Sequence, residues 1–453
     1  MGTASSQSWE TRSLREVTTK LVDGSHNPPP KQETGLPMLS ARNIDRGQVL
    51  FDEYRLISEG SFVSEDARTR IAAGDVLLTI VGTIGRTAVV PEGTQPFALQ
   101  RSVAVLTPAK NLLPKFLCYQ LQSPAIQKHF EANARGTAQK GVYLKTLGQT
   151  PIFLPPMAVQ TQIVAELEKQ FSRLDEAVAN LQRVKANLKR YKAAVLKDAV
   201  EGRLVPTEAE LARREGRSFE TGEQLLQRIL AARRCRWQGK GKFVTPEGPS
   251  VTNLAALPAG WTWASAIQAC EHVVDCHNKT APYTTSGIPL VRTTNIRDGR
   301  LLLDEVRYVD QPTHEFWSRR CPPEPGDVLF TREAPMGEAG IIPPGVILCL
   351  GQRTMLMRPS PAIAAGFLLS ALLSPVVKDL IDRVAVGSGV KHLRVGDVER
   401  LPVPLPPLTE QVRIVAEVDR RLSLVRGVEA EVDANLNRSR TLRHATLANA
   451  FDA

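Results

Sequence analysis

The sequence is written twice. A shift of 252 residues sets Trp9 on Trp261, Asp23 on Asp275, Asn43-Ile44 on Asn295-Ile296, and Gly74-Asp75-Val76-Leu77 on Gly326-Asp327-Val328-Leu329. The same shift matches Thr79, Gly85, Pro91 and Gln100-Arg101 to Thr331, Gly337, Pro343 and Gln352-Arg353. After a one-residue slip, Leu154-Pro155-Pro156 pairs with Leu405-Pro406-Pro407, Gln160 with Gln411, and Ile163-Val164-Ala165-Glu166 with Ile414-Val415-Ala416-Glu417. Chance does not hold one register over so many anchors, so the chain is a duplicated unit. Two copies of one module present two similar surfaces, which suits a ligand that itself has two parts.

Each copy opens with a mixed region, residues 1–154 and 261–405, in which runs such as 75–81 and 327–331 have strand length and β-branched content between Gly and Pro breaks. Apolar residues recurring at three and four predict short helices at 115–131 and 364–384. The character then changes. After Pro155-Pro156, residues 157–200 contain no Gly or Pro, and Ile163, Leu167, Phe171, Leu174, Val178, Leu181, Leu188 and Val195 form a coiled-coil stripe, with Val184 and Tyr191 beside it. Such a helix is about 66 Å long at 1.5 Å per residue. The second copy repeats the design over 406–453 through Ile414, Val418, Leu422, Val425, Val432, Leu436 and Leu442, with Gly427 as a flaw. Neither stripe stays exposed at low cost, so the two helices, 155–201 and 406–453, should pack on each other. The linker at 202–260 carries a predicted helix at 222–234 and a polar Gly, Lys and Pro-rich stretch at 238–250 that reads as flexible.

Composition narrows the partners. A length of 453 residues suits two to four domains, and 23% charged with 42% apolar residues is globular. A net charge of +10 makes a polyanion the natural partner. No apolar run approaches a membrane span and the N-terminus is polar, which predicts a cytoplasmic protein without a membrane partner. The six cysteines form no Cys-x-x-Cys pair and read as reduced thiols. Cys270, His272, Cys276 and His277 are zinc-ligand types at non-standard spacing, present in the second copy only, where the first has Thr18, Lys20, Gly24 and Ser25.

A search for catalysis comes back empty: no phosphate loop, nucleophile elbow, His-Glu-x-x-His helix, adenine-methyltransferase loop or restriction-nuclease acidic set is present. What recurs is a set of polar turn residues. Arg42 and Asn43 answer to Thr294 and Asn295, Gln100-Arg101 to Gln352-Arg353, and Gly136-Thr137 with Lys140 to Gly387-Ser388 with Lys391. Arg, Asn and Gln read base edges, and Lys with Gly-rich backbone suits phosphates, although shared Asn and Gln-Arg pairs also brace turns. Residues shared by both copies should specify the fold or a phosphate contact, and those that differ should specify what each copy reads. Ile80, Gly82, Thr83 and Arg86 stand where the second copy has Arg332, Ala334, Pro335 and Glu338; Gln139 and Gly141 stand opposite Val390 and His392, with Arg394 nearby. The end of the first long helix is basic through Arg183, Lys185, Lys189, Arg190, Lys192 and Lys197, which a solvated face explains as well as a docking face does.

The run Leu401-Pro402-Val403-Pro404-Leu405-Pro406-Pro407-Leu408-Thr409-Glu410-Gln411-Val412-Arg413-Ile414-Val415, the Gly-Asp-Val-Leu pair, Trp261-Thr262-Trp263 and Gly387-Ser388-Gly389 together resemble the DNA specificity subunit of type I restriction-modification systems. The first copy is looser, with Val159 where an acidic residue is usual. The resemblance implies an α+β chain with two tandem β-rich target recognition domains separated by two long antiparallel coiled-coil helices, a pseudo-two-fold internal repeat. Each domain would read half of a bipartite site in double-stranded DNA, and the helices would set the spacer. The chain itself would be non-catalytic and hold no cofactor. Two modification subunits would bring S-adenosylmethionine, and restriction subunits would bring ATP and Mg. A non-DNA scaffold that binds proteins through its coiled coil is the alternative, separable by the salt dependence of binding.

Overall fold

The computed structural model describes residues 9–136, 139–239, 241–249, 254–387, 389 and 391–451. Contacts divide it into two compact units, Met1–Arg183 with Val432–Ala453, and Val184–Glu431.

In the first unit the strand Glu10–Ser13 pairs antiparallel with Pro151–Leu154, so the start and end of the repeat are tied together just before the long helix. A four-stranded sheet follows, in the order Thr18–Asp23, Val103–Pro108, Val76–Thr79, Thr87–Val89. A smaller sheet sets Leu36–Leu39 between Arg55–Ile57 and Ala98–Leu99. Val76, Leu78, Ala104 and Leu106 alternate along two neighbouring strands onto one face, where they meet Phe116, Leu117, Leu121 and Phe130. Leu77, Val103 and Val105 turn to the other face against Leu39, Ile44 and Phe97.

The second unit repeats this plan. Thr262–Ser265 pairs with Pro402–Leu405, and the large sheet runs Cys270–Asp275, Thr354–Pro359, Val328–Thr331, Ala339–Ile341. The α+β class and the internal repeat therefore stand in the structure.

Each short helix expected as one segment is two. Pro114–Leu121 is followed by Pro124–Asn133, and Ala365–Leu373 by Pro375–Val384. The cause is local, because Pro124 and Pro375 have no N–H to continue a helix and instead occupy the first turn of a new one. The apolar period survives the break, which is why it hides it.

The long helices are Met157–Val200 and Leu408–Phe451, and each unit holds part of both. In the first unit Val164, Leu167 and Phe171 share a core with Leu447 and Phe451. Asp175 meets Arg443 at 3.1 Å and Gln170 meets Thr446 at 3.4 Å, so the two segments run antiparallel. In the second unit Val195 and Ala199 pack with Ile414 and Val418, and Lys192 Nζ lies 2.8 Å from Glu429. Leu442, expected on the seam, is 53% exposed, because the buried register passes through Leu447 and Phe451. Gly427 is accommodated inside an unbroken helix.

The linker departs furthest from expectation. The helix at 222–234 is present as Gly222–Cys235, but a second helix, Glu208–Glu215, precedes it. The stretch expected to be flexible, of which Lys240 and Ser250 lie outside the described residues, makes specific bonds. Ser265 Oγ donates to the Glu247 carbonyl at 2.6 Å, and Arg400 reaches the Glu247 carboxylate at 3.1 Å.

Candidate nucleic-acid interface

Strand register gathers the loops. In the first repeat Asp23 faces Ala104, Val103 faces Thr79, and Leu78 faces Thr87. All these pairings are antiparallel, so segments 24–28, 80–86 and 100–102 leave the sheet at one end. The 135–141 hairpin joins them: Arg135 and Gly141 exchange two backbone bonds of 2.9 Å, Gly82 N–H donates to the Lys140 carbonyl at 3.2 Å, and Val142 N–H to the Ile80 carbonyl at 2.8 Å. Gly136, at φ +118, turns the hairpin where a Cβ would lie 2.3 Å from the Gln139 carbonyl oxygen. The small sheet is tied in by Gln100 N–H to the Leu39 carbonyl at 2.9 Å and Arg101 N–H to the Ser25 carbonyl at 2.8 Å.

The second repeat builds the same end from Asp275 facing Met355 and Thr331 facing Thr354. Val386 and His392 exchange two bonds of 2.9 Å, Leu393 N–H reaches the Arg332 carbonyl at 3.1 Å, and Gly351 N–H the Val291 carbonyl at 2.8 Å. In each copy one sheet end thus carries four chain segments that are far apart in sequence.

Two of the expected base readers are corrected. Asn43 is buried; its Oδ1 accepts from Ser40 N–H at 3.0 Å, and its Nδ2 donates to the carbonyls of Leu50 at 3.1 Å and Glu53 at 2.9 Å. Asn295 does the same with Arg292 N–H and the Leu302 and Glu305 carbonyls, at 3.1, 3.3 and 3.1 Å. An amide spent on its own turn has nothing to offer a base.

The remaining candidates divide. Arg101, Gln139 and Lys140 are exposed on the loop end, as are Arg353, Lys391 and Arg394, with Gln100 and His392 half-buried. Arg353, held at φ +66, lies 3.1 Å from Glu333. Gln352 is braced rather than free, donating to the Asn278 carbonyl at 3.0 Å and accepting from Thr280 Oγ1 at 3.2 Å. Arg42 is solvent-exposed, 3.5 Å from Glu53, and Arg86 is 3.5 Å from Asp45. Thr137 and Ser388 lie outside the described residues. Arg332 is the sharpest divergence. Ile80 at the matching position is 2% exposed in the core, whereas Arg332 Nη1 donates to the Leu393 carbonyl at 3.0 Å and its buried Nε has no partner.

Beside it, Thr280, Tyr283, Arg292, Thr294, Gln352 and Arg353 line a cleft of about 210 Å³. The Nε of Arg292 is also buried without a partner. Arg292 stands where the first repeat has Ser40, so neither a shared residue nor a charge pattern marks it in the sequence.

The zinc-type cluster does not assemble. Cys270 and Cys276 sit in different cores. Burial pushes the Cys270 thiol up to about 12, so it keeps its proton at neutral pH and is a poor metal ligand. Among the described residues no group of three or more His, Cys, Asp or Glu is placed to hold a metal, and no helix is long and apolar enough to cross a membrane.

Comparison with known proteins follows this geometry. The chain is 24% identical over 421 residues to the type I restriction enzyme EcoBI specificity subunit of Escherichia coli, covering 93% of this chain and 80% of that one. It is 22% identical over 431 residues to the EcoKI specificity subunit of E. coli strain K12, covering 92% and 82%. A chain solved in a study of complex assembly and conformational transition of the type I R-M system shares the fold, with a TM-score of 0.61 at 22% identity, covering 98% of this chain and 97% of its own. The profile of the type I restriction modification DNA specificity domain matches residues 7–189 and 319–432, well over half of the sequence. With its two repeats, the chain belongs to the type I restriction-modification DNA specificity subunit family.

Proposed function

We propose that each repeat reads one half of a bipartite site in double-stranded DNA through the loop end of its large sheet. The observation that carries this reading is the contrast at those ends. The hairpin bonds are the same in both copies, Arg135 with Gly141 and Val386 with His392, while Arg332 stands where the first copy has Ile80, Arg292 where it has Ser40, and His392 and Arg394 where it has Gly141 and Tyr143. That is what two readers of different sequences on one scaffold require. In the first repeat the candidate reader is Gln139, and Gln100, Arg101 and Lys140, which recur in the second, are candidate phosphate contacts. In the second the candidate readers are Arg292, Arg332, His392 and Arg394, with Arg353 and Lys391 as the shared phosphate candidates.

The domains of this reading are 1–154 and 261–405, and the helices at 155–201 and 406–453 fix the spacer and dock two modification subunits. S-adenosylmethionine belongs to those subunits, and ATP with Mg to restriction subunits. The working compartment is the cytoplasm, where the DNA is. The test is to express the full chain with its modification subunit and map methylated adenines across the genome. A bipartite motif with a fixed unspecified spacer is the expected result. A stable complex that methylates no defined motif would refute the reading and favour a protein scaffold.

A further inference from the structure

The two repeats place their charges differently at one corner beside the loop end. In the second repeat the turn residue Asp298 and the strand-end residue Glu338 occupy this corner and close it. Glu338 accepts from Asp298 N–H at 2.9 Å and lies 3.6 Å from Lys378 Nζ. Arg297, the neighbouring cation, is spent on the carbonyls of Thr293 and Ile296, both at 2.6 Å. The other cation of that turn, Arg300, is exposed.

In the first repeat Arg46 and Arg86 stand where the second has these two carboxylates, while Asp45 and Gln48 stand where it has Arg297 and Arg300, so the guanidinium groups are moved to the corner itself. Gln127 stands where Lys378 would be. The corner is open: Arg46, Arg86, Gln127, Arg443, His444 and Leu447 line a cleft of about 200 Å³. Two carboxylates reach these cations. Asp45 lies 3.8 Å from Arg46 and 3.5 Å from Arg86, one carboxylate shared by two guanidinium groups. Asp175 takes Arg443 at 3.1 Å, and Arg443 also stacks over the Phe171 ring at 4.0 Å. The corner therefore keeps an excess of positive charge. The corner spends its amide donors internally, Gln127 Nε2 on the Gly85 and Leu121 carbonyls at 3.1 and 2.6 Å and Gln122 Nε2 on Thr87 Oγ1 at 2.7 Å. Its surplus donors are charged forks, the geometry that fits phosphate oxygens.

We propose that this corner, formed by the 45–48 turn, the 80–86 turn and the end of the second long helix, is a phosphate-binding site taking phosphodiester groups of the DNA backbone, and that the second repeat lacks it. The inference rests on the DNA reading above and deepens it. Arg86 is accordingly a phosphate contact and not a base reader, and the chain's last helix contributes His444 to the first half-site.

The test measures affinity of the full chain with its modification subunits for a duplex carrying the mapped motif, over a series of salt concentrations. Each lost phosphate contact lowers the log–log salt slope by about 0.9. Arg86→Gln and Arg46→Gln together should therefore flatten the slope by about 2 without changing the methylated motif. Arg86→Lys should keep the slope, and Arg213→Gln, on the exposed face of the Glu208–Glu215 helix, should leave it at the wild-type value. A duplex with neutral methylphosphonate linkages in the first half-site should abolish the difference between wild type and double variant. A double variant with the wild-type slope overturns the site. A difference that survives the neutral linkages assigns the corner to a free phosphate ion and overturns the DNA source. A wild type that binds with no salt dependence removes the DNA reading itself, and the site with it.

Discussion

The first and second repeats make the same framework bonds with different residues. Asp75 and Asp327 are both buried and both cap the turn before their strand, accepting from Ala72 N–H at 2.9 Å and Glu324 N–H at 2.8 Å. Each also needs a cation. In the first repeat Lys20 supplies it at 2.8 Å from one strand of a cross-strand pair; in the second Arg358 supplies it at 2.8 Å from the opposite strand. The bond is the same while its cation sits on the neighbouring strand, so what the buried carboxylate needs is a positive charge and not a particular side chain. The repeats part company at Glu410. It is buried, accepts from Trp261 Nε1 at 3.0 Å and Glu208 N–H at 2.8 Å, and so anchors the linker helix, whereas the first repeat has Val159 and no helix to anchor. Where the two copies have different neighbours, the framework itself differs.

Removing the shared bond should break the comparison most severely. Asp327→Ala leaves the largely buried Arg358 with only the exposed Glu324, at 3.2 Å, as counter-charge and should cost about 3 kcal/mol, read by denaturant unfolding of the full chain. A cost under about 1 kcal/mol would mean the cation finds water instead. Next comes the asymmetric site. Glu410→Ala orphans two buried donors at about 1 to 3 kcal/mol each, while Val159→Ala should cost less than about 1.5 kcal/mol. Burial also holds the Glu410 carboxyl above its ordinary value. A raised folded-state value makes its contribution greatest at low pH, falling as pH rises through that value. Glu410→Gln should flatten this slope in thermal melts recorded against pH.

The loop ends predict the opposite pattern, small in stability and large in recognition. Arg394→Ala should change unfolding by no more than about 0.5 kcal/mol yet relax one base position of one half-site, at about 1 to 3 kcal/mol of discrimination. Methylation mapping of the variant reads this directly. An unaltered motif would remove Arg394 from the readers. The smallest effect is Gly427→Ala. This helix interior leaves open space for a methyl group, so the variant should gain about 1 kcal/mol, visible as a slightly higher melting temperature.

The repeat, the long helices and the anchors of the strands could be read in the sequence because each is a local or periodic signal. The sequence also placed Gln160 and Gln411 at matching helix starts. Only the structure tells what they do, which is to accept from Leu113 N–H at 2.8 Å and Ala364 N–H at 2.9 Å and so sew each helix to its domain. Identity between copies was a poor guide to function at Asn43 and Asn295, since a shared polar residue serves the shared turn first. Pro124 and Pro375 divide the short helices, but the apolar period runs across both breaks and masks them. Arg443 and His444 were beyond reach, because they join residues 46 and 86 only through the antiparallel return of the last helix.

The central claim is that the two repeats read independently. Residues 9–150 should be replaced by the corresponding segment of another family member, the chimera expressed with its modification subunits, and its methylated adenines mapped. The account predicts that one half of the motif changes while the other half and the spacer stay as they were. A change in both halves would contradict it.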